Sequence, residues 1–342
     1  MKALVLEAYN KFDFRDVPNP VIGDDEVLVE VKAVGICGSD VHGMDGSTGR
    51  RIPPIIMGHE ASGQIISTGK NVDGWKSGDR VTFDSTIYKL DDWFTLNGHY
   101  NLSDNRMVLG VSCTEFKRDG AFAQYVAIPQ HILHRIPENV TYEQAALVEP
   151  VAVALHAVNL SGIKLNDTVV VFGAGMIGLF IIQLLKQAGC TVIAVDILDE
   201  KLEMAEKAGA DVILNSQSDD IPGEIRKHTH NRGADVAFEA VGISVTINSA
   251  ISSLRKGGTL VLVGNLSPSI DFPLQKVVTG EITVKGSCAI NGEYPAVLEL
   301  ISKGMIDVDS LISNVVPLSE GANYFDKLYN KEPGMLKVIL KP

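Results

Sequence analysis

The stretch Thr168 to Ala188 constrains this chain more than any other. A β-branched run, TVVVF, leads directly into Gly173-Ala174-Gly175-Met176-Ile177-Gly178. The apolar, helix-compatible run IGLFIIQLLKQA starts inside that motif. The spacing G-x-G-x-x-G is weak alone, but between a strand and a helix it has a mechanical meaning. Gly173 permits the tight turn, Gly175 lets the backbone approach a pyrophosphate, and Gly178 lets helix and strand pack closely. The helix N-terminus offers N–H donors and a positive dipole end to phosphates. Asp196 closes the next strand, about 20 residues on, where a carboxylate can accept from both ribose hydroxyls. A carboxylate there repels a 2′-phosphate, so the expected cofactor is NAD rather than NADP. Ile177, Lys201, Val263 and Gly264 complete the candidate cofactor contacts. The bland alternative is an ordinary strand-to-helix turn with a surface aspartate. Strand, glycines, helix, strand and acid all in register argue against it.

The surrounding region repeats the same alternation. Strand candidates fall at Thr168 to Phe172, Thr191 to Val195, Asp211 to Leu214, Asp235 to Glu239, Thr259 to Val263 and Ile282 to Lys285. Helical stretches, such as Asp199 to Ala208, lie between most of them. Alternating strands and helices imply a parallel sheet covered on both faces. Six strands in this pattern predict two βαβαβ halves, the doubly wound dinucleotide fold.

The N-terminal region reads differently. Val27 to Val34 alternates apolar and polar residues, as a half-buried strand does, and Ala61 to Thr68, Arg80 to Asp84 and Gly120 to Ile128 read similarly. Proline and glycine punctuate the rest, and long helices are not evident before Thr141 to Ala157, where Pro150 can open a new helix. After Lys285 come a helix near Pro295 to Lys303 and a terminal strand, Leu336 to Leu340.

Composition narrows the partners. The 342 residues carry 30 basic and 42 acidic side chains, a net charge of −12, which disfavours nucleic acid and anionic membrane surfaces. No apolar run reaches the ~18 residues of a membrane span. The N-terminus shows no secretory pattern, so a cytoplasmic location is the default expectation. Four cysteines, Cys37, Cys113, Cys190 and Cys288, are too few for a disulfide scaffold. The last three read as buried small apolar side chains.

Three segments carry residues suited to zinc: Gly35-Ile36-Cys37-Gly38-Ser39-Asp40-Val41-His42, Gly58-His59-Glu60-Ala61, and Val148-Glu149-Pro150. Thiolate, imidazole and carboxylate make a good set for this borderline-soft ion, and three protein ligands with one open position is the catalytic pattern. Spacing alone does not show that the segments meet. A lone cysteine after a strand is usually core, a His-Glu pair is usually a solvated turn, and Glu149 can simply charge a helix N-terminus.

In order and spacing, G-I-C-G-S-D-V-H, G-H-E-A-S-G, V-E-P and G-A-G-M-I-G resemble the zinc-dependent medium-chain dehydrogenases, and most closely their sorbitol (polyol) dehydrogenase branch. The resemblance covers nearly the whole chain. It implies an α/β protein with a GroES-like, β-rich catalytic domain at residues 1–150 and 286–342 and a Rossmann domain at 151–285. It implies catalytic zinc held by Cys37, His59 and Glu60, with Glu149 in direct or indirect contact, and a homodimer or homotetramer. It also implies hydride transfer from a zinc-activated alcohol to NAD, with Ser39 and His42 relaying the displaced proton.

The sequence departs from that family at two places. Many members hold a second, structural zinc with four cysteines in a lobe loop, and here the matching positions are Lys89, Asp92, Thr95 and Ser103. One zinc per subunit is therefore expected, with Lys89 and Asp92 free to pair and Trp93, Phe94 and Tyr100 packing the loop. A polyol-contacting arginine also falls on Ala289, which weakens the case for sorbitol itself. Arg50 and Arg51 together can grip a phosphate, so a polyol or a polyol phosphate is the expected substrate. The alternatives are an amino-alcohol dehydrogenase of the L-threonine 3-dehydrogenase type and, in another class, a non-catalytic NAD-binding protein.

Overall fold

A computed structural model describes residues 1–342. The chain divides into two compact units, Met1–Glu149 with Ile290–Pro342, and Pro150–Ala289. The second unit thus runs on past Lys285, because the segment after strand Thr283–Gly286 stays with the sheet it leaves.

The first unit is built on a seven-stranded sheet around Glu26–Gly35. That strand alternates half-buried and buried residues until its last three, which are all buried. The rhythm places Val27, Val29 and Val31 in the core with Leu4, Phe83, Phe122 and Leu340. Its neighbours are Glu60–Thr68, Tyr125–Pro129 and the C-terminal strand Lys337–Lys341, all antiparallel to it. The chain's end therefore lies beside residues near its beginning. Three details differ from the sequence reading. The expected Gly120 to Ile128 strand is confined to Tyr125–Pro129. A hairpin of Lys2–Ala8 with Lys11–Asp16, not anticipated, also pairs with Ile55–Ile56 and sends Leu4 and Leu6 into the core. Thr141 to Ala157 is two helices, Tyr142–Ala146 and Val148–Ser161, the second opening at Val148 rather than at Pro150. The first is opened by a capping box, in which the Thr141 hydroxyl accepts from Gln144 N and Gln144 accepts from Thr141 N.

The second unit is a six-stranded parallel sheet. Its spatial order is Val212–Asn215, Thr191–Asp196, Thr168–Phe172, Ala234–Glu239, Leu254–Leu262 and Thr283–Gly286. This is the doubly wound 3-2-1-4-5-6 order, with its switch point between Thr168–Phe172 and Ala234–Glu239. Strands such as TVVVF are almost wholly buried because helices cover both faces. No helix is long and apolar enough to cross a membrane.

Candidate active site

Three of the four metal-ligating candidates converge where two strands and a short helix meet in the first unit. Strand Glu26–Gly35 ends and Cys37 N-caps the short helix Gly38–Gly43. His59 precedes strand Glu60–Thr68, whose first residue pairs in register with Gly35. Gly58, with φ +96°, makes the turn that delivers His59, and a Cβ there would lie 2.8 Å from a Phe122 ring atom. One ligand atom each of Cys37, His59 and Glu60 falls within 4.8 Å of the other two.

The surrounding groups aim these three. The His59 Nδ1 atom lies 3.6 Å from Asp40 Oδ2, and neither atom has a hydrogen-bond partner. A carboxylate behind one ring nitrogen leaves Nε2 to face a metal. Glu60 Oε2 pairs at 2.6 Å with Lys337 Nζ, which also donates to Ile36 O at 3.0 Å. Both residues are buried, so Glu60 keeps only its Oε1 outside that pair. The Ser39 hydroxyl donates to Cys37 Sγ at 3.3 Å. His42 is exposed on the same helix, one turn from Ser39, where residues three apart are neighbours.

Glu149 is not one of the close three. It is buried in the first turn of Val148–Ser161, and its Oε1 accepts from Ser85 Oγ at 3.0 Å. Burial pushes its carboxyl up to about 7, with Glu60 adding to the shift while His59 and Ser85 oppose it. Burial also pushes the Cys37 thiol well up, reinforced by Glu60 and opposed by Lys337. Buried acids and a thiol thus surround a point that lacks enough positive charge. A divalent cation held there would favour the charged form of each. The donor set therefore fits zinc.

Several expectations need correction. Arg51 is not part of a solvated phosphate clamp: it is 3% exposed, and its Nε and Nη2 donate to Asp40 Oδ1 at 3.1 and 2.8 Å. Arg50 alone remains exposed. Lys89 and Asp92 do not pair. Asp92 instead N-caps helix Trp93–Leu96, accepting from Phe94 N and Thr95 N, and takes Asp104 N on its other oxygen. Trp93 is 67% exposed, and its ring contact in the loop is edge-on to Phe94 at 5.0 Å. Tyr100 stacks on Tyr88 at 4.3 Å, and its hydroxyl donates to Asp84 Oδ2 at 2.6 Å. Cys190 is buried, but Cys113 and Cys288 are only half-buried. Sequence reasoning also missed Lys337, Ser85 and the roles of Asp40 and Arg51. Asp40 lies inside a motif already singled out; the pairing of Lys337 with Glu60, 277 residues apart, has no local signal.

In the second unit, the glycine motif opens helix Met176–Gln187, N-capped by Gly175 with no side-chain cap. A Cβ on Gly178 would lie 1.8 Å from Gly173 O, so only glycine packs there. Gly173 has φ +94°. Nothing lies within 4 Å of a Cβ on Gly175, which leaves room for a ligand to approach the backbone. Uncapped N–H groups beside that open space fit a pyrophosphate. Asp196 Oδ2 accepts from Ala174 N at 2.8 Å, tying the glycine turn to the end of the neighbouring strand. Ile177, Lys201, Val263 and Gly264 are half-buried. The Val263 and Gly264 N–H groups both donate to Glu239 O, so neither is free for a ligand.

Known proteins share both halves. The alcohol dehydrogenase GroES-like domain family matches residues 23–138, and the zinc-binding dehydrogenase family matches residues 177–303. D-arabitol-phosphate dehydrogenase of Enterococcus avium is 33% identical over 339 residues, covering 97% of this chain and 94% of that protein. Sorbitol dehydrogenase of Bacillus subtilis (strain 168) is 34% identical over 348 residues, covering 100% and 97%. A solved structure from Sinorhizobium meliloti 1021, assigned to the zinc-binding dehydrogenases and bound to NADP, is similar with a TM-score of 0.91 at 31% identity, covering 100% of this chain and 99% of that one. With both domain types matched in order over the two sites, the chain belongs to the zinc-dependent, GroES-like alcohol dehydrogenases, which work with a nicotinamide cofactor.

Proposed function

We propose that this enzyme oxidises a secondary alcohol of a polyol, or of a polyol phosphate, to the ketone, with two electrons and a proton passing to NAD as hydride. The observation that carries the reading is the convergence of Cys37, His59 and Glu60, with Asp40 set behind His59. Those three residues would hold one zinc, with Glu149 close by. When bound, zinc supplies Lewis-acid polarisation of the substrate hydroxyl. Ser39 Oγ takes up the released proton and His42, exposed on the same helix, passes it to solvent. Relatives acting on D-arabitol phosphate and on sorbitol support the polyol class. Of the two arginines, only Arg50 is exposed enough to meet a phosphate.

NAD is preferred because Asp196 ends the second strand of the nucleotide fold and is followed by Ile197, not by a cation. One zinc per chain is expected, because the lobe positions Lys89, Asp92, Thr95 and Ser103 offer no thiolate and the backbone occupies Asp92. The assembly expected is a homodimer or homotetramer. The test is a panel of polyols, polyol phosphates and L-threonine, each offered with NAD and with NADP and followed as reduced-cofactor absorbance. Turnover on a polyol or its phosphate with NAD is expected. Turnover confined to L-threonine, or equal kcat/KM with NADP, overturns the reading.

A further inference from the structure

Arg51 is the one buried guanidinium whose bonds reach two of the three metal-ligating residues, each through a different intermediary. Toward His59, its Nε and Nη2 both donate to Asp40 Oδ1, and Asp40 Oδ2 faces His59 Nδ1 at 3.6 Å. Toward Cys37, Nη2 also reaches Ser39 Oγ at 3.4 Å, and that hydroxyl donates to Cys37 Sγ at 3.3 Å. A fourth bond, from Nη1 to Arg50 O at 3.0 Å, fixes the fork. The stem is housed as deliberately as the head: a Cβ on Gly43 would lie 2.6 Å from Arg51 Cγ, so the helix Gly38–Gly43 ends in a glycine that makes room for it.

We propose that Arg51 is a positioning residue for this metal centre, holding Asp40 against His59 and orienting the Ser39 hydroxyl. The inference rests on the reading of Cys37, His59 and Glu60 as the zinc site. Asp40 is fully buried, and its partners here are Arg51 and His59. A buried carboxylate that lost its cation would turn or shift, and the ring it faces would lose its aim. The Ser39 role follows from donor chemistry. Arginine only donates and stays protonated in proteins. It fills one acceptor position of Ser39 Oγ and so anchors that oxygen beside Cys37. It cannot itself carry the proton away, so it orients the relay without belonging to it. Lysine at this position would keep the charge but not the fork that spans Asp40, Ser39 and the Arg50 carbonyl.

The test uses the full-length, zinc-loaded protein with R51K, R51M and Ser39→Ala. Zinc affinity is read by competition with a chromogenic chelator, kcat and KM are read at saturating zinc, and NADH binding is read by fluorescence. Arg51→Met should weaken zinc by about 10–100-fold, the range for partners of metal ligands. Arg51→Lys should keep most of the zinc affinity yet lower kcat, with KM and NADH binding little changed. The double variant R51K with Ser39→Ala should be no slower than Ser39→Ala alone, because both act on one step. If R51M fails to fold, R51K and the double variant still decide. Wild-type zinc affinity and kcat in R51K and R51M, or additive kcat losses in the double variant, overturn the role of Arg51. A wild-type chain that takes up no zinc overturns the metal reading itself, and this inference with it.

Discussion

Two loops of the first unit invite comparison: the segments around Cys37 and His59, and the lobe loop from Tyr88 to Ser103. Both carry polar side chains at turns, and both matched positions that hold zinc in many of the resembled dehydrogenases. In the first, the fold leaves donor atoms facing one another. Cys37, His59 and Glu60 converge, and Asp40, Arg51 and Lys337 occupy the far side of each ligand or its neighbour. In the second, the fold takes up the loop's matched carboxylate itself. Backbone N–H groups take both Asp92 oxygens, and the Tyr100 hydroxyl takes Asp84. The difference teaches that a metal site is defined less by residue type than by which lone pairs the backbone leaves unspent. The lobe loop is capped at Asp92 and stacked through Tyr100 on Tyr88.

Four substitutions would break or sharpen this contrast. Cys37→Ala should have the largest effect, removing the zinc and lowering turnover by about 10³-fold or more, since Lewis-acid polarisation contributes several kcal/mol. Metal analysis should show about one zinc per chain in the wild type and none in the variant. A tightly bound zinc retained in Cys37→Ala would place the metal elsewhere. Ser39→Ala should spare zinc and NADH binding while lowering kcat by ~10²–10⁴-fold, the usual contribution of a general acid–base group. Turnover within about twofold of wild type would remove Ser39 from the relay.

The third prediction concerns pH. Burial, opposed by hydrogen bonds from Tyr100 and Thr86, raises Asp84 from 3.8 to about 6. Its folded carboxyl therefore binds its proton more tightly than the unfolded one. That contribution to stability is fully present below the unfolded value and is lost as pH rises through about 6. The expected change is on the order of 3 kcal/mol at most, from ~1.4 kcal/mol per pKa unit. Thermal unfolding of wild type and Asp84→Asn between pH 4 and 7 should give curves whose separation changes across that window. A separation independent of pH would show that Asp84 does not titrate there.

The smallest effect belongs to the lobe. Asp92→Ala removes an N-cap and should cost about 0.5–2 kcal/mol, leaving the zinc content unchanged. Loss of a metal equivalent in Asp92→Ala would mean that the lobe binds an ion after all. Together with Cys37→Ala, this variant asks whether all of the zinc resides in one of the two loops.

Local pattern by itself determined a good deal about this protein. The β-branched run into G-x-G-x-x-G, the acid at the end of the next strand and the period-2 rhythm of Glu26–Gly35 are all written within a few residues, so the parallel sheet and the half-buried strand at the heart of the first unit were both legible. The ligand candidates Cys37, His59 and Glu60 were legible as residue types in short motifs. Their convergence was not, because it depends on strand Glu60–Thr68 pairing with Glu26–Gly35 so that Glu60 sits opposite Gly35. The partners that aim them came only from tertiary structure. Lys337 reaches Glu60 because the last strand pairs with Glu26–Gly35, and no local rule links residues 277 positions apart. Arg51 read as half of a phosphate grip because a sequence shows charge but not burial. Its place beside Asp40 is set by the packing that encloses both. Sequence fixes which donors exist; which of them are shielded, paired or left open is a property of non-local packing.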